Sequence, residues 1–530
     1  MIISKIAFEI CKMACPVLYL HMFLRRKKNK SGSFSIQVVE SNRSGYKVIK
    51  SFGASCDELQ LRALERKAQQ WIDDQRGPKL PFTWEKDDVI SDFMTTLANS
   101  QVRVYGPELV YGSLYDQMGY NAIGDEMFRH LVVCRLFNPG SKLKTIDYLN
   151  RYLHVIKSVD SIYRFVDRLS PAEGCGIKEQ VERISYAQTL KVLGGKVGVV
   201  FYDMTTLYFE AADEDDLRIC GFSKDGKHRN PQIYLGLLVA AGGNPIGYDI
   251  FEGNIHEGKT LVPMVESLAN KFGFDHPVII ADAGLLSKKN IEALEEAKYE
   301  YILGARPKND SAEVKKKILS MNLRDGQVRS FKRKDGRRVV VSMSGKRAKN
   351  DAKNRRDGLR RLEKKLGAGR LTKNNINNRG YNKYLHMEGE VKISIDYGKF
   401  EADAAWGGIK AYITNSRMDP RKIIENYHNL WFIERAFRMN KTDLRIRPIY
   451  HRLRNRIEGH ICICFTAYTI MLELERRLKK AKAPFSLNQA KELTKNIYSI
   501  TYTLPETKQE RTTVLKMSSD QQLLVEIAKS

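Results

Sequence analysis

Two short apolar runs, each closed by an aspartate, constrain this chain more than any other feature. The run GGKVGVVFYDMTTLYFE carries a strand from Val197 to Tyr202 that ends at Asp203. The run HPVIIADAGLLSKKNIEAL carries a buried strand from Val278 to Ala281 that ends at Asp282, after which Gly284 makes a turn and Ser287 caps a helix. A carboxylate just past the C-terminal end of a core strand lies at the open edge of a sheet, where α/β active sites collect. A single Asp there is ordinarily a turn former or helix cap. Two of them followed by a helical glutamate form a much rarer set.

The glutamate comes from YHNLWFIERAFRMNK, where Tyr427, Glu434 and Lys441 are spaced seven and seven. On a helix a seven-residue step falls about 20° short of two turns, so the three side chains are expected on one face. Arg438 and Arg445 extend that face, while Ile433, Phe437 and Leu444 mark the buried side. A carboxylate among cations suits a site where a metal meets a phosphate backbone. The same pattern also describes a solvated face with i,i+4 ion pairs.

Together these segments resemble a DDE transposase of bacterial insertion sequences, in the branch whose signature is Tyr, two residues, Arg, three residues, Glu, six residues, Lys. Tyr427, Glu434 and Lys441 match that spacing, and Leu430 stands at the Arg position. Asp203-Met204-Thr205-Thr206 is similar to the first-Asp motif and Asp282-Ala283-Gly284 to the second. GFSKDGKHRNPQI, FEGNIHEGKT and RPIYHRLRNRIEGHI also look family-like, and the resemblance covers roughly residues 105–475. It implies Asp203, Asp282 and Glu434 as the catalytic acids and as ligands for two Mg²⁺ ions, with Mn²⁺ able to substitute. It implies Tyr427 and Lys441 as phosphate contacts. Arg435 and Arg438 are further candidates for DNA contacts, with structural ion pairs as the competing role. Phosphodiester cleavage followed by strand transfer is the expected chemistry, double-stranded DNA (element ends and target) the expected partner, and a homodimer the expected synaptic state.

Charge points the same way. The chain carries 89 Lys+Arg against 62 Asp+Glu, a net +27, which calls for a polyanion, nucleic acid before membrane. Residues 306–383 alone hold 26 Lys/Arg and 7 Asp/Glu. The longest apolar stretch in the body, Ile461–Leu472, is short of the roughly 20 residues of a membrane span. The first 30 residues do not read as a signal peptide, because Lys5, Glu9 and Lys12 interrupt the apolar run, and translation from Met22 is the favoured start. Eight cysteines show no metal-ligand spacing or disulfide framework, which fits a reduced cytoplasm, and the resemblance implies a bacterial, nucleoid-associated location. The acidic run Glu210–Asp216 is expected to be solvated surface, with Asp249, Glu252 and Glu257 as candidate auxiliary acids.

At 530 residues the chain has room for about three domains of ~150 residues. The expected architecture is mixed α/β, a ribonuclease-H-like core interrupted by a β-rich insertion, with an N-terminal β-hairpin and helical DNA-recognition region. The expected segments begin with an extension and basic arm (1–32), a hairpin plus helix for DNA binding (33–104) and a helical connector (105–195). The first part of the core (196–307), the basic β-rich insertion (308–415), the core's completion with Glu434 (416–482) and a C-terminal tail (483–530) follow. Spacing places an insertion, since Asp203 and Asp282 are 79 positions apart but Asp282 and Glu434 are 152, and the resemblance implies that it is largely β. Two alternatives stay open, a related nuclease or resolvase that cuts without joining, and a non-catalytic DNA-binding relic of a transposase.

Overall fold

The computed structural model describes residues 22–42, 45–75, 84–169, 176–211, 213–223, 226, 229–273, 276–372, 375–377, 380–388, 392–504 and 507–530. The expectations for residues 1–21 lie outside the described residues, as do Pro78 and Pro81, which mark a linker in the sequence, and Ser170-Pro171, which breaks its helical periodicity. The chain forms two compact units that divide between Ala98 and Asn99.

The first unit is an antiparallel sheet of β1 (Met22–Lys28), β2 (Phe34–Asn42) and β3 (Gly45–Ser55), covered by the helix Glu58–Gln75. Leu61, Ala68 and Ile72 share one helix face and pack on Met22, Ile36 and Val38. The expected hairpin is β2 and β3, and β1 adds a third strand to it. The expected basic arm is β1, paired from Met22↔Glu40 to Lys28↔Phe34. Its consecutive cations hide the strand pattern, but their stems pack: the Arg26 guanidinium lies 4.9 Å from the Phe34 ring and pairs with Glu58.

The second unit begins with β4 (Val102–Val104) and continues with β5 (Val199–Tyr208), β6 (Gln232–Ala240), β7 (Pro245–Glu252), β8 (Val278–Ala281) and β9 (Tyr301–Ala305). β10 (Val328–Lys332), β11 (Arg338–Met343), β12 (Leu385–Glu388), β13 (Lys392–Ile395) and β14 (Ile409–Thr414) follow, then β15 (Tyr498–Thr503) and β16 (Glu510–Val514). Eight strands form one mixed sheet in the order β10-β11-β14-β9-β8-β5-β6-β7. Only β5, β8 and β9 run parallel to one another.

Strand alternation builds two cores. Phe201, Leu235, Ile280, Ile302 and Tyr412 face one layer, and Val200, Tyr202, Ile279, Ala281 and Leu303 face the other. The second layer is closed by the helices Leu261–Phe272, Lys288–Glu296 and Ala312–Ser320. The first is closed by the helices of residues 108–192 and by the helix Arg454–Lys480. That helix is long and apolar enough to cross a membrane, yet 94% of its apolar window is buried inside the protein. It is the central core helix.

The insertion is not a separate β-rich body. β10, β11 and β14 extend the main sheet, and more of residues 308–415 is helical than extended, chiefly through the 23-residue helix Gly345–Gly367. The expected C-terminal tail is folded as well. The helices Leu487–Lys495 and Ser519–Lys529 contribute Ala490, Leu524, Val525, Ile527 and Ala528 to the first core, and β15 pairs with β4. The segment 99–104 therefore belongs with the second unit.

Candidate active site

Register places the two aspartates. Parallel pairing of β5 and β8 runs from Val199↔Val278 to Tyr202↔Ala281, so Asp203 and Asp282 are each the next residue beyond the last rung. Strand spacing sets their backbones about 5 Å apart at one end of the sheet. β5 does not stop at Asp203, where the apolar run ends. It continues to Tyr208, held by antiparallel pairing to β6, with Asp203 opposite Leu237. Asp203 thus stands where pairing ends on one side and persists on the other. Backbone N–H groups orient both carboxylates: Met204 donates to Asp203 Oδ1 at 2.7 Å, and Gly284 and Leu285 donate to Asp282 Oδ1 at 2.7 and 3.3 Å.

β9 carries Gly304 at the same level, one residue past the Ala281↔Leu303 rung. A Cβ there would collide with the Tyr427 hydroxyl and lie 3.0 Å from the Ala283 nitrogen. Glycine is needed for the close approach, and it admits the phenol beside Asp282. The Tyr427 ring also packs at 4.6 Å on Tyr412 of β14. Its phenol is pushed above the usual tyrosine range by burial first, then by Asp282, Tyr412, Asp203 and Glu434. All three acids therefore act on one hydroxyl.

The Glu434 segment is not one continuous α-helix. The helix Pro420–His428 tightens at Asn429 and Leu430, where Leu430 N–H donates to the Tyr427 carbonyl at 3.0 Å and Ile433 N–H to that of Leu430 at 3.1 Å. The helix Trp431–Arg438 follows, and then a π-helical turn at Met439–Asp443 that contains Lys441. The seven-residue steps thus cross a tight turn and a wide one, which side-chain periodicity does not distinguish. Ile433, Phe437 and Leu444 are buried as expected, Ala436 is buried with them, and Glu434 and Arg438 are exposed. Leu430 is buried in the core, so no side chain at the signature's Arg position faces the acids.

Arg435 turns away from the acids. It forms an ion pair with Glu475 on the long helix, with both side chains less than one-fifth exposed. Burial alone would raise the Glu475 carboxyl, but Arg435 and Lys479 hold it below its ordinary value. Other cations face the site instead. A cleft of about 370 Å³ adjoins Ala283, Gly304 and Tyr427, with Arg306, Arg347 and Lys410 on its wall. Burial and then Arg347 pull the Lys410 ammonium down, while Glu434 opposes them. Periodicity around Glu434 carries no sign of Arg347 and Lys410, because both lie in the segment expected to be a separate insertion.

One acid joins the site from outside the expected triad. A Cβ at Gly284 would lie 3.0 Å from Asp282 Oδ1 and 3.1 Å from Glu257 Oε2, so this glycine leaves a hollow between two carboxylates. The acidic run is engaged elsewhere: Asp215 caps Leu217 and Arg218 and pairs with Arg218, while Asp213 and Asp216 approach Arg452 and Arg454.

The donors at the sheet end suit a hard divalent cation, which takes a few carboxylate oxygens and completes its shell with water and phosphate. The hollow at Gly284, bordered by Asp282 and Glu257, fits that requirement. Among the described residues no group of three His, Cys, Asp or Glu is drawn together as a ready cage.

Residues 203–470 match a family model described as a transposase DDE domain, slightly more than half of the chain. The chain belongs to that family. The matched span of this DDE transposase domain opens at Asp203 itself and includes Asp282, Glu434 and most of the long core helix. A cryo-EM structure of a piggyBac transposase synaptic complex with hairpin DNA is similar over 73% of this chain and 76% of that one, at 9% identity and a TM-score of 0.39. No curated protein matches the chain.

Proposed function

We propose that the protein is an insertion-sequence transposase of the Tyr-Arg-Glu-Lys branch. In this reading it binds the terminal inverted repeats of its element, cuts the DNA strand at their ends and joins the freed end to target DNA. One observation carries the reading: Asp203 and Asp282 follow the last rung of paired parallel strands, and the Tyr427 phenol answers electrostatically to both and to Glu434. The β5-β8-β9 parallel centre with an antiparallel β6-β7 flank is the pattern expected of a ribonuclease-H-like core.

Asp203, Asp282 and Glu434 are assigned as the acids that hold two Mg²⁺ ions (or Mn²⁺), with Glu257 beside Asp282 as an auxiliary carboxylate. When bound, such ions activate an attacking oxygen and stabilise a leaving one. The chain's own residues do the rest. Backbone N–H groups keep the two Asp side chains oriented, and Tyr427, wedged at Gly304, holds a phenol beside them for a phosphate oxygen. Lys441, Arg438, Arg347 and Lys410 supply positive charge to the backbone of bound DNA. Arg435 is assigned to structure, through Glu475.

Hydrolysis adds water across a P–O3′ bond and leaves a 5′-phosphate and a 3′-hydroxyl. In the transfer step that hydroxyl attacks a target phosphodiester, one P–O bond forming for each that breaks, so no nucleotide is consumed. The helix Gly345–Gly367 carries ten Lys/Arg against three Asp/Glu and fits as a DNA-facing surface, and the first unit is assigned to end recognition. Two element ends must be held together, which gives a homodimer, acting on DNA in the bacterial cytoplasm.

The test is Mg²⁺-dependent cleavage of a duplex carrying the element's terminal repeat, by the wild type and by Glu434→Gln. The reading expects cleavage and joined products from the wild type, and binding without cleavage from the variant. Equal cleavage by both proteins removes Glu434 from the site. Cleavage without joining favours a nuclease, and tight binding without cleavage favours a relic.

A further inference from the structure

A second concentration of charge lies away from the acids, in residues the proposed chemistry does not use. A pocket of about 490 Å³ opens where the helix Glu126–Phe137 ends and the helix Lys142–Tyr152 begins, closed by residues 445–451 and the long helix. Five Arg or Lys and two His line it, and no Asp or Glu does. Such a lining is costly in the absence of an anion, because buried like charges lose hydration and repel one another.

Arg135 and Lys142 are the deepest of the five Arg and Lys, each only 6% exposed. Among the described residues the Arg135 guanidinium reaches one carbonyl, that of Leu444 at 3.5 Å, and the Lys142 ammonium has no hydrogen-bond or ion-pair partner. The nearby carboxylate Asp167 is already held by Arg456 at 2.6 and 2.8 Å. The groups feel one another. Burial and then Arg135 bring Lys142 down to about 7, while burial, then Lys142, Arg456 and Arg135, bring His451 down to about 3. Burial first, then Arg135, Lys142 and His451, also pushes His460 well below its ordinary value. The helix Lys142–Tyr152 adds its N-terminus, where Ser141 caps only the Lys144 N–H, at 3.2 Å.

An ammonium, a guanidinium fork and a helix N-terminus around one cavity match the chemistry of phosphate. DNA is the favoured source because another lining residue, Arg447, lies 5.5 Å from the ring of Tyr208. Tyr208 ends β5, the strand that carries Asp203 five residues earlier, about 17 Å along the strand. That separation is within one helical turn of duplex, about 34 Å. We propose that the pocket is an anchoring site for a backbone phosphate of bound DNA, with Lys142 and Arg135 as its buried contacts. The proposal rests on the transposase reading only for the source of the phosphate.

The test compares full-length wild type with Lys142→Met in two measurements, duplex binding across a salt series without divalent metal and thermal melting with and without inorganic phosphate. The expected result is roughly tenfold weaker binding by the variant and a log K against log salt slope smaller by about 1. Inorganic phosphate should raise the melting temperature of the wild type and not that of the variant. Should Lys142→Met fail to fold, Arg135→Lys keeps the charge but loses the fork, and should weaken binding with the slope unchanged. Unchanged affinity and slope in a folded variant overturn the proposal. Phosphate protection lost with DNA binding intact overturns DNA as the source. A wild type that shows the phosphate effect and the slope change but cuts no DNA keeps the pocket and sinks the catalytic reading.

Discussion

The acid end of the sheet and the cationic pocket each gather charge of one sign, and they are built in opposite ways. Asp203 and Asp282 emerge from strand ends at the sheet edge, where water reaches them and backbone N–H groups orient them. Arg135 and Lys142 are sunk between helices with almost nothing to neutralise them. Like charges at an open edge repel weakly and suit a cation. Like charges in a buried pocket cost stability, and in return hold an anion tightly. The paired cation Arg435 is the internal control, since it is also largely buried but has Glu475.

That contrast breaks or sharpens under substitution. The largest effect is expected at the acid edge: Asp203→Asn should lower strand cleavage by about 10³-fold while duplex binding and melting temperature stay close to wild type. A large fall in melting temperature instead would make Asp203 a structural turn residue. Next, Arg435→Met should destabilise the fold by on the order of 3 kcal/mol, because Glu475 loses its buried partner, whereas Lys142→Met should stabilise it. Denaturant melts of the two variants should therefore move in opposite directions, and movement in the same direction would erase the contrast.

Gly304→Ala is expected to cost about 2 kcal/mol and to lower cleavage, since the added methyl displaces the Tyr427 hydroxyl. Tyr427→Phe combined with Gly304→Ala should recover stability without recovering activity. A gentler probe is pH. Lys142 has a folded value of about 7 against 10.5 for the free side chain, so below about 7 both states carry the charge and the folded state bears the full burial penalty. Between about 7 and 10.5 the unfolded chain holds the extra proton, so stability rises with pH. The wild-type melting temperature should climb over that window relative to Lys142→Met, and parallel profiles would show that the ammonium is not buried. The smallest effect is expected at the surface acids, where Asp213→Asn should change stability by less than about 0.5 kcal/mol and leave cleavage unaltered.

Elements bounded by sharp local signals are legible in the sequence. β8 falls on the residues expected of it, and β9, β11 and the helix Arg454–Lys480 are likewise apolar or periodic runs with clear ends. β1 is hidden by its run of cations. The C-terminal region looks like a tail because its short helices and strands carry little apolar pattern until they meet partners about 400 residues away, as β15 does with β4. The cationic pocket is not legible at all. Arg135 is an ordinary helical arginine until Leu444, 309 positions later, closes over it. Arg438 keeps its expected exposed face, while Arg435, three residues earlier, turns to the long helix.

By itself the sequence determined which strands are buried, that two of them are followed by aspartate, and that a glutamate follows on a helix with cations near it. Those are local properties, set by apolar periodicity and by turn and cap chemistry within a few residues. The tertiary structure decided that Tyr202 pairs with Ala281, which makes Asp203 and Asp282 neighbours, that Gly304 admits Tyr427 beside Asp282, and that Leu430 and Arg435 turn elsewhere. Parallel pairing across 79 residues and helix docking on a sheet depend on how whole faces fit together. A side-chain pattern specifies which face is buried, but not which neighbour buries it.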